Sequence, residues 1–208
     1  MKMPAAMTIG FWKLGFLWSL VFGIWSFFAM SACAQLTLKD AFTNAFRIGA
    51  ALNQSQLYEE NSNTVGLIKS QFNTITPENV LKWEPVHPKA DTFNFEPADR
   101  YVAFGEKYNM FIIGHTLVWH NQTPKWVFED AEGKPLTRDA LLERLHDHIS
   151  KVVGRYKGKI RGWDVVNEAV DDNGNLRRSG WLRIIGEDYL VKAYEFAHEA
   201  DPNVELYY

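Results

Sequence analysis

The sequence predicts an α/β fold, and within that class about half of a (β/α)8 barrel of the TIM type. Three observations carry the prediction. Apolar runs of strand length alternate with stretches of helical period along the chain after its leader. Those runs are continuous rather than alternating, the pattern of a parallel sheet whose faces are covered by helices. Polar residues then crowd just after the strands: Asn53; Glu78, Asn79 and Lys82; His115 and His120; Asn167 and Glu168. An open doubly wound sheet is the rival, but Ile48-Gly49-Ala50-Ala51-Leu52-Asn53 stands where a dinucleotide fold places G-x-G-x-x-G. Polar groups at the ends of several strands describe a barrel's catalytic rim.

The elements follow in order. Strands are expected over Phe46–Leu52 and Phe72–Thr76, then a helix over Ala98–Tyr108 and a third strand over Phe111–Leu117. The clearest helix runs from Arg138 to Val153, with Thr137 as its N-cap and Gly154 expected to end it. Leu141, Leu142, Leu145, Ile149, Val152 and Val153 recur there at three- and four-residue spacing, which marks its buried face. A fourth strand is expected over Ile160–Val166 and a helix over Glu187–Ala200, closed by Pro202. Val204–Tyr208 begins a fifth strand. A complete barrel typically takes about 250 residues. Residues 35–208 are therefore expected to be the N-terminal half of a barrel domain, truncated after four βα units and the start of strand 5.

The composition is that of a globular protein, 47% hydrophobic and 23% charged, with a net charge of −3. Without a basic excess, nucleic acid is not an expected partner. Residues 1–34 read as a leader. Lys2 and Lys13 supply positive charge, Phe16–Met30 is an apolar block, and Ala32-Cys33-Ala34 offers a small-residue cleavage pattern before Gln35. That is the layout of a secretory signal peptide. Two alternatives stay open. The uncharged stretch is long enough for a retained membrane anchor, and Met30-Ser31-Ala32-Cys33 approximates a lipoprotein signal with Cys33 lipidated. The expected location is secreted or periplasmic, or the outer membrane or cell surface if Cys33 carries lipid. Membrane contact is expected only through leader or lipid. Cys33 is the sole cysteine, so the exported body has no disulfide, zinc-thiolate site or cysteine nucleophile. Such a domain must be held by its core.

The run from Ile160 to Ala169 is the most informative in the chain, because an apolar strand delivers Asn167 and Glu168 at its end. A carboxyl buried there without a partner is costly. At the C-terminal rim of a barrel strand it stands where enzymes of that fold keep catalytic groups. Three segments occur in one order: Thr76-Pro77-Glu78-Asn79-Val80-Leu81-Lys82-Trp83, Gly114-His115-Thr116-Leu117-Val118-Trp119-His120, and Trp163-Asp164-Val165-Val166-Asn167-Glu168. In them the chain resembles glycoside hydrolase family 10, the endo-β-1,4-xylanases, from about Phe46 to Tyr208. The resemblance implies a retaining endo-1,4-β-xylanase that hydrolyses internal bonds of xylan or xylo-oligosaccharides by double displacement. It implies no cofactor, no metal and a monomer when complete. Glu168 corresponds to the proton donor and general acid/base, and Asn167 to the partner of the sugar 2-hydroxyl. One departure matters: the family's second catalytic carboxylate, the nucleophile, lies on a later strand that this sequence does not reach. The fragment alone is expected to be inactive.

Glu78 and Lys82 have the spacing of an ordinary helical ion pair. The resemblance implies instead that Glu78, Asn79 and Lys82 bind hydroxyls on the glycone side, where mixed donors and acceptors suit sugar. By the same resemblance His115 donates to a ring hydroxyl, Trp119 offers a flat apolar face, and Gln122 lies near the substrate. His115 and His120 lack a third ligand at metal spacing, and no H-E-x-x-H occurs. Trp126 and Trp163 are expected in the core, and Asp171–Asn175 in a turn rather than a calcium loop. A general acid must hold its proton at rest, so Glu168 is expected to be buried or beside negative charge. Two other functions stay open: another barrel β-glycosidase such as a cellulase, and a non-catalytic carbohydrate-binding remnant.

Overall fold

A computed structural model describes residues 36–208. The expected leader and Cys33 lie outside the described residues. In chain order the elements are α1 (Leu38–Ala41), β1 (Gly49–Leu52), α2 (Gln54–Leu57), α3 (Ser62–Gln71), β2 (Thr74–Pro77), α4 (Trp83–Val86) and α5 (Glu96–Lys107). Then come β3 (Phe111–Val118), a 3-10 turn at Lys125–Val127, α6 (Arg138–Arg155), β4 (Gly162–Val166), α7 (Gly180–Ile184), α8 (Tyr189–Ala200) and β5 (Glu205–Tyr207). The five strands lie side by side in the order β1-β2-β3-β4-β5, every neighbouring pair parallel. Sequential parallel strands joined by helical crossovers make this four βα units and a fifth strand of a (β/α)8 barrel.

All five expected strands form, with shifted ends. β1 starts at Gly49 rather than Phe46, because the Asn73 side chain takes the place of a neighbouring strand at Ile48: its Oδ1 accepts from the Ile48 N–H at 2.9 Å. α5 begins two residues earlier than expected, at Glu96, with Pro97 in the first turn where its missing N–H costs nothing. α6 begins as expected at the Thr137 cap, whose hydroxyl accepts from Ala140 N. Gly154 does not end it, and the helix continues to Arg155. A solvent-facing glycine in a last turn costs only about 1 kcal/mol, and the chain leaves the helical path at Gly158, whose φ is +76°. α8 starts at Tyr189 rather than Glu187, since the chain enters it through a tighter turn, the Tyr189 N–H donating to the Gly186 carbonyl at 3.2 Å and the Leu190 N–H to that of Glu187 at 3.4 Å.

The helices pack as their apolar stripes require. Leu141, Leu145, Ile149, Val152 and Val153 of α6 are fully buried, whereas Leu142 is only partly so. Burying each such side chain is worth roughly 1.5–3 kcal/mol, so this stripe fixes α6 to its neighbours. The Tyr101 hydroxyl of α5 lies 2.8 Å from the Ile75 carbonyl and 2.6 Å from that of Ile113, tying α5 to β2 and β3. Trp163 is buried in β4 with its indole lying against Gly114 of β3, where a β-carbon would overlap the ring. Trp126 is partly buried and donates from Nε1 to the Pro88 carbonyl at 3.0 Å. Asp171–Asn175 forms the expected turn, Asp171 Oδ1 accepting from the N–H groups of Asn173 at 2.9 Å and Asn175 at 3.0 Å.

Candidate active site

Parallel pairing brings the C-terminal ends of β2, β3 and β4 together, and the singled-out residues follow those ends except His115, which lies within β3. The Glu78 N–H donates to the Leu52 carbonyl at 2.9 Å, carrying Glu78 and Asn79 just past the end of β2. Residues 78–82 form bends and a turn, not a helix, so the ion-pair spacing of Glu78 and Lys82 has no helical meaning here. Lys82 is the N-cap residue of α4. Its Nζ donates to Asn79 Oδ1 at 3.0 Å and lies 4.7 Å from the centre of the Trp119 ring. Gln122, with φ +47°, donates from Nε2 to the same Asn79 oxygen at 3.4 Å. Its own carbonyl accepts from Glu84 N at 2.9 Å. Partial burial pushes the Lys82 pKa down, opposed by the charges of Glu168 and Glu78.

Trp119 joins that group to Glu168. Its Nε1 donates to Glu168 Oε2 at 3.0 Å, and its carbonyl accepts from Trp181 Nε1 at 2.9 Å and Thr123 Oγ1 at 2.9 Å. Asn167, half-buried, is placed by its N–H donating to the Val118 carbonyl at 2.9 Å. It caps no helix, because Glu168 next to it stands in the left-handed region at φ +52°. The expected burial of Glu168 is not found: its side chain is 51% exposed. The carboxyl stands at the mouth of the strand ends, with Trp119 on one side and the His120 Nε2 at 3.8 Å. Burial and the nearby Arg177 charge push the His120 pKa down, so this imidazole is neutral near pH 7. Its Nδ1 is buried with no hydrogen-bond partner among the described residues.

Among the described residues the side chains of Glu78 and Asn167 make no hydrogen bond to this group, and neither does that of His115. Its Nδ1 lies 2.8 Å from Asp164 Oδ2 on the adjacent strand, a pairing set by the β3–β4 register that puts His115 opposite Asp164. Asp164 was not among the expected site residues. A carboxylate in the middle of an otherwise apolar strand was the available signal. Arg177, Trp181 and the acid-facing role of His120 were also missed, and only the last two residue types carried any local hint. Asn53, by contrast, serves α2: its side chain accepts from Ser55 N and Gln56 answers in a capping box.

Fold and rim together define the class: part of a parallel α/β barrel whose strand ends gather a carboxylate, an indole, amides and an ammonium group. Residues 37–208 match the sequence model of glycosyl hydrolase family 10, and the chain belongs to that family. It is 48% identical over 174 residues to endo-1,4-beta-xylanase A of Xylanibacter ruminicola, covering 84% of this chain and 47% of that protein. It is 46% identical over 178 residues to the exoglucanase XynX of Acetivibrio thermocellus, covering 82% of this chain and 16% of that protein. Among solved structures, a xylanase XynB of Paenibacillus barcinonensis complexed with a conduramine derivative superposes with a TM-score of 0.79 at 47% identity. That match covers 85% of this chain and 53% of the other. The chain spans about half the length of the first curated relatives it matches, 47% and 51%.

Proposed function

We propose that these residues supply the acid/base side of a retaining endo-1,4-β-xylanase. The observation that carries the reading is Glu168 at the end of β4, its carboxyl held by the Trp119 N–H beside the Asn79–Lys82–Gln122 group. Glu168 donates a proton to the leaving glycosidic oxygen as the C–O bond breaks. A second carboxylate, from sequence outside these 208 residues, attacks the anomeric carbon, and Glu168 then takes a proton from the water that releases the sugar. Retention asks for about 5–5.5 Å between the two carboxyl groups. Asn167 hydrogen-bonds the 2-hydroxyl in this reading, a contact that tightens as positive charge builds on the ring. Glu78, Asn79, Lys82 and His115 offer the mixed donors and acceptors that hydroxyls need. Xylan is favoured as substrate by the names of most of the relatives. Cellulose is the second reading, favoured by the name of the exoglucanase relative.

The test uses Glu168→Ala in the full-length protein, with xylan and carboxymethylcellulose as paired substrates. Cleavage of xylan should fall about 10²–10⁴-fold, the usual contribution of general acid–base assistance. An aryl xyloside with a good leaving group should keep its first step, and azide should restore turnover as a β-glycosyl azide. An α-glycosyl azide would make Glu168 the nucleophile, unchanged activity would remove it from the site, and preference for cellulose would overturn the substrate. Residues 37–208 alone, holding one of the two carboxylates, should release no reducing sugar. Export fits a polymer substrate too large to enter a cell. Mass analysis of exported protein should begin at Gln35, or at lipid-modified Cys33; intact Met1 in the membrane fraction would establish the anchor instead.

A further inference from the structure

We propose that Arg177 is a positioning residue for the general acid, its guanidinium clamping the backbone of Glu168 so that the carboxyl faces the cleft. The inference rests on the reading of Glu168 as acid. Glu168 holds φ at +52°, a conformation that a side-chain-bearing residue keeps only when its surroundings enforce it, at a cost of about 1–3 kcal/mol. No hydrogen bond to the Glu168 carboxyl enforces it, because the Trp119 contact acts at the far end of a flexible side chain. The carbonyl of Glu168 is what Arg177 grips: Nε donates to it at 3.0 Å, and Nη2 donates to the Val170 carbonyl at 3.3 Å. The Arg177 N–H adds a third bond, to the Ala169 carbonyl at 2.7 Å. Three consecutive carbonyls beyond β4 are therefore held by one residue.

The intervening loop is built to return Arg177 to that place. Asp171 Oδ1 closes the turn at Asn173 and Asn175, the Asp171 N–H donates to the Asn175 carbonyl at 2.8 Å, and Val170 bridges Leu176. Arg177 forms no ion pair among the described residues, so its charge is directed to backbone oxygens. A lysine at this position has no planar fork with which to reach two carbonyls at once.

Leaving-group dependence separates positioning of an acid from general support of the fold. In the full-length protein, Arg177→Ala, Arg177→Lys and Glu168→Ala are compared by kcat/KM on 2,4-dinitrophenyl and phenyl xylobiosides. The dinitrophenolate leaves without a proton, whereas the phenolate needs one. Arg177→Ala should lose about tenfold or more on the phenyl substrate, the scale of one lost charge-assisted hydrogen bond. It should change little on the dinitrophenyl substrate, with Arg177→Lys in between. Equal losses on both substrates, or none on either, would overturn the proposal. Should Arg177→Ala fail to fold, Arg177→Lys and Arg177→Gln are read by the same comparison. If Glu168→Ala itself shows no leaving-group selectivity, the acid reading has failed. If Glu168→Ala is selective and the Arg177 variants are not, only the clamp has failed.

Discussion

Asp164 shows how much of the site is decided by residues that never announce themselves. His115 carries two ring nitrogens of interchangeable role, and the bond at 2.8 Å from Nδ1 to Asp164 Oδ2 assigns them, leaving Nε2 as the atom free to meet a ligand. Asp164→Asn keeps the shape and removes the carboxylate that fixes the ring. Loss of a hydrogen bond to a charged group costs about 1.5–3 kcal/mol, so kcat/KM on xylo-oligosaccharides should fall about tenfold or more. Steady-state kinetics check this, and a wild-type value would show that His115 is oriented by something else. The place of Glu168, Asn167 and Glu78 just past apolar strands was legible in the sequence, whereas a role for them and for Lys82 came only from the resemblance to the family. Asp164 and Arg177 were not legible. The value of Asp164 lies in a partner 49 positions away, and that of Arg177 in carbonyls that every residue possesses.

The elements were legible where one local pattern decided them and less so where two competed. Thr137 and the six spaced apolar residues of α6 agree with each other, and the helix starts as they say. Gly154 argued for an end, and the helix stops one residue later at Arg155, within the usual scatter of a helix terminus. Gly114 is the opposite case. Nothing around it in the sequence explains a glycine inside a strand, and the reason is the Trp163 indole of the next strand lying on it. Gly114→Ala should push that indole out of place and destabilise the protein by about 1–3 kcal/mol, the usual range for overpacking. A thermal melt reads this as a lowered midpoint, and an unchanged midpoint would mean that β3 and β4 yield more readily than their packing suggests.

On the scale of the whole molecule, acid sensitivity is written into the packing of α6 against the residues after β2. His148 of α6 is fully buried and faces His87, their Nδ1 atoms 3.2 Å apart, with Trp83 stacked on His148 at 3.6 Å. Burial, then the His87 charge, holds the His148 pKa well below 6.5. Burial also lowers that of His87, the nearby Asp147 opposing and Lys151 and Arg144 adding to the effect. Both rings are thus neutral when folded, while the unfolded chain takes up protons near pH 6.5. Stability from this pair is fully present above about pH 6.5 and is lost progressively as pH falls below it. Melting midpoints between pH 7.5 and 5 should decline, and His148→Gln should flatten the decline. A slope unaltered by that substitution would place the acid sensitivity elsewhere. The parallel sheet and its strand order were legible because length, run pattern and crossovers all pointed one way. This pair was not, since neither histidine sits in a recognisable motif.

The contacts that hold Glu168 share one further property. Trp119, His120, Arg177 and the Trp181 that braces Trp119 all lie within one contiguous stretch of chain, from the end of β3 to the start of α7. Glu168 and its supports therefore travel as a cassette. Recombination with breakpoints outside that stretch would exchange the loops of other strands while leaving these contacts whole, whereas a breakpoint between β4 and Arg177 would part Glu168 from the side chain that binds its carbonyl.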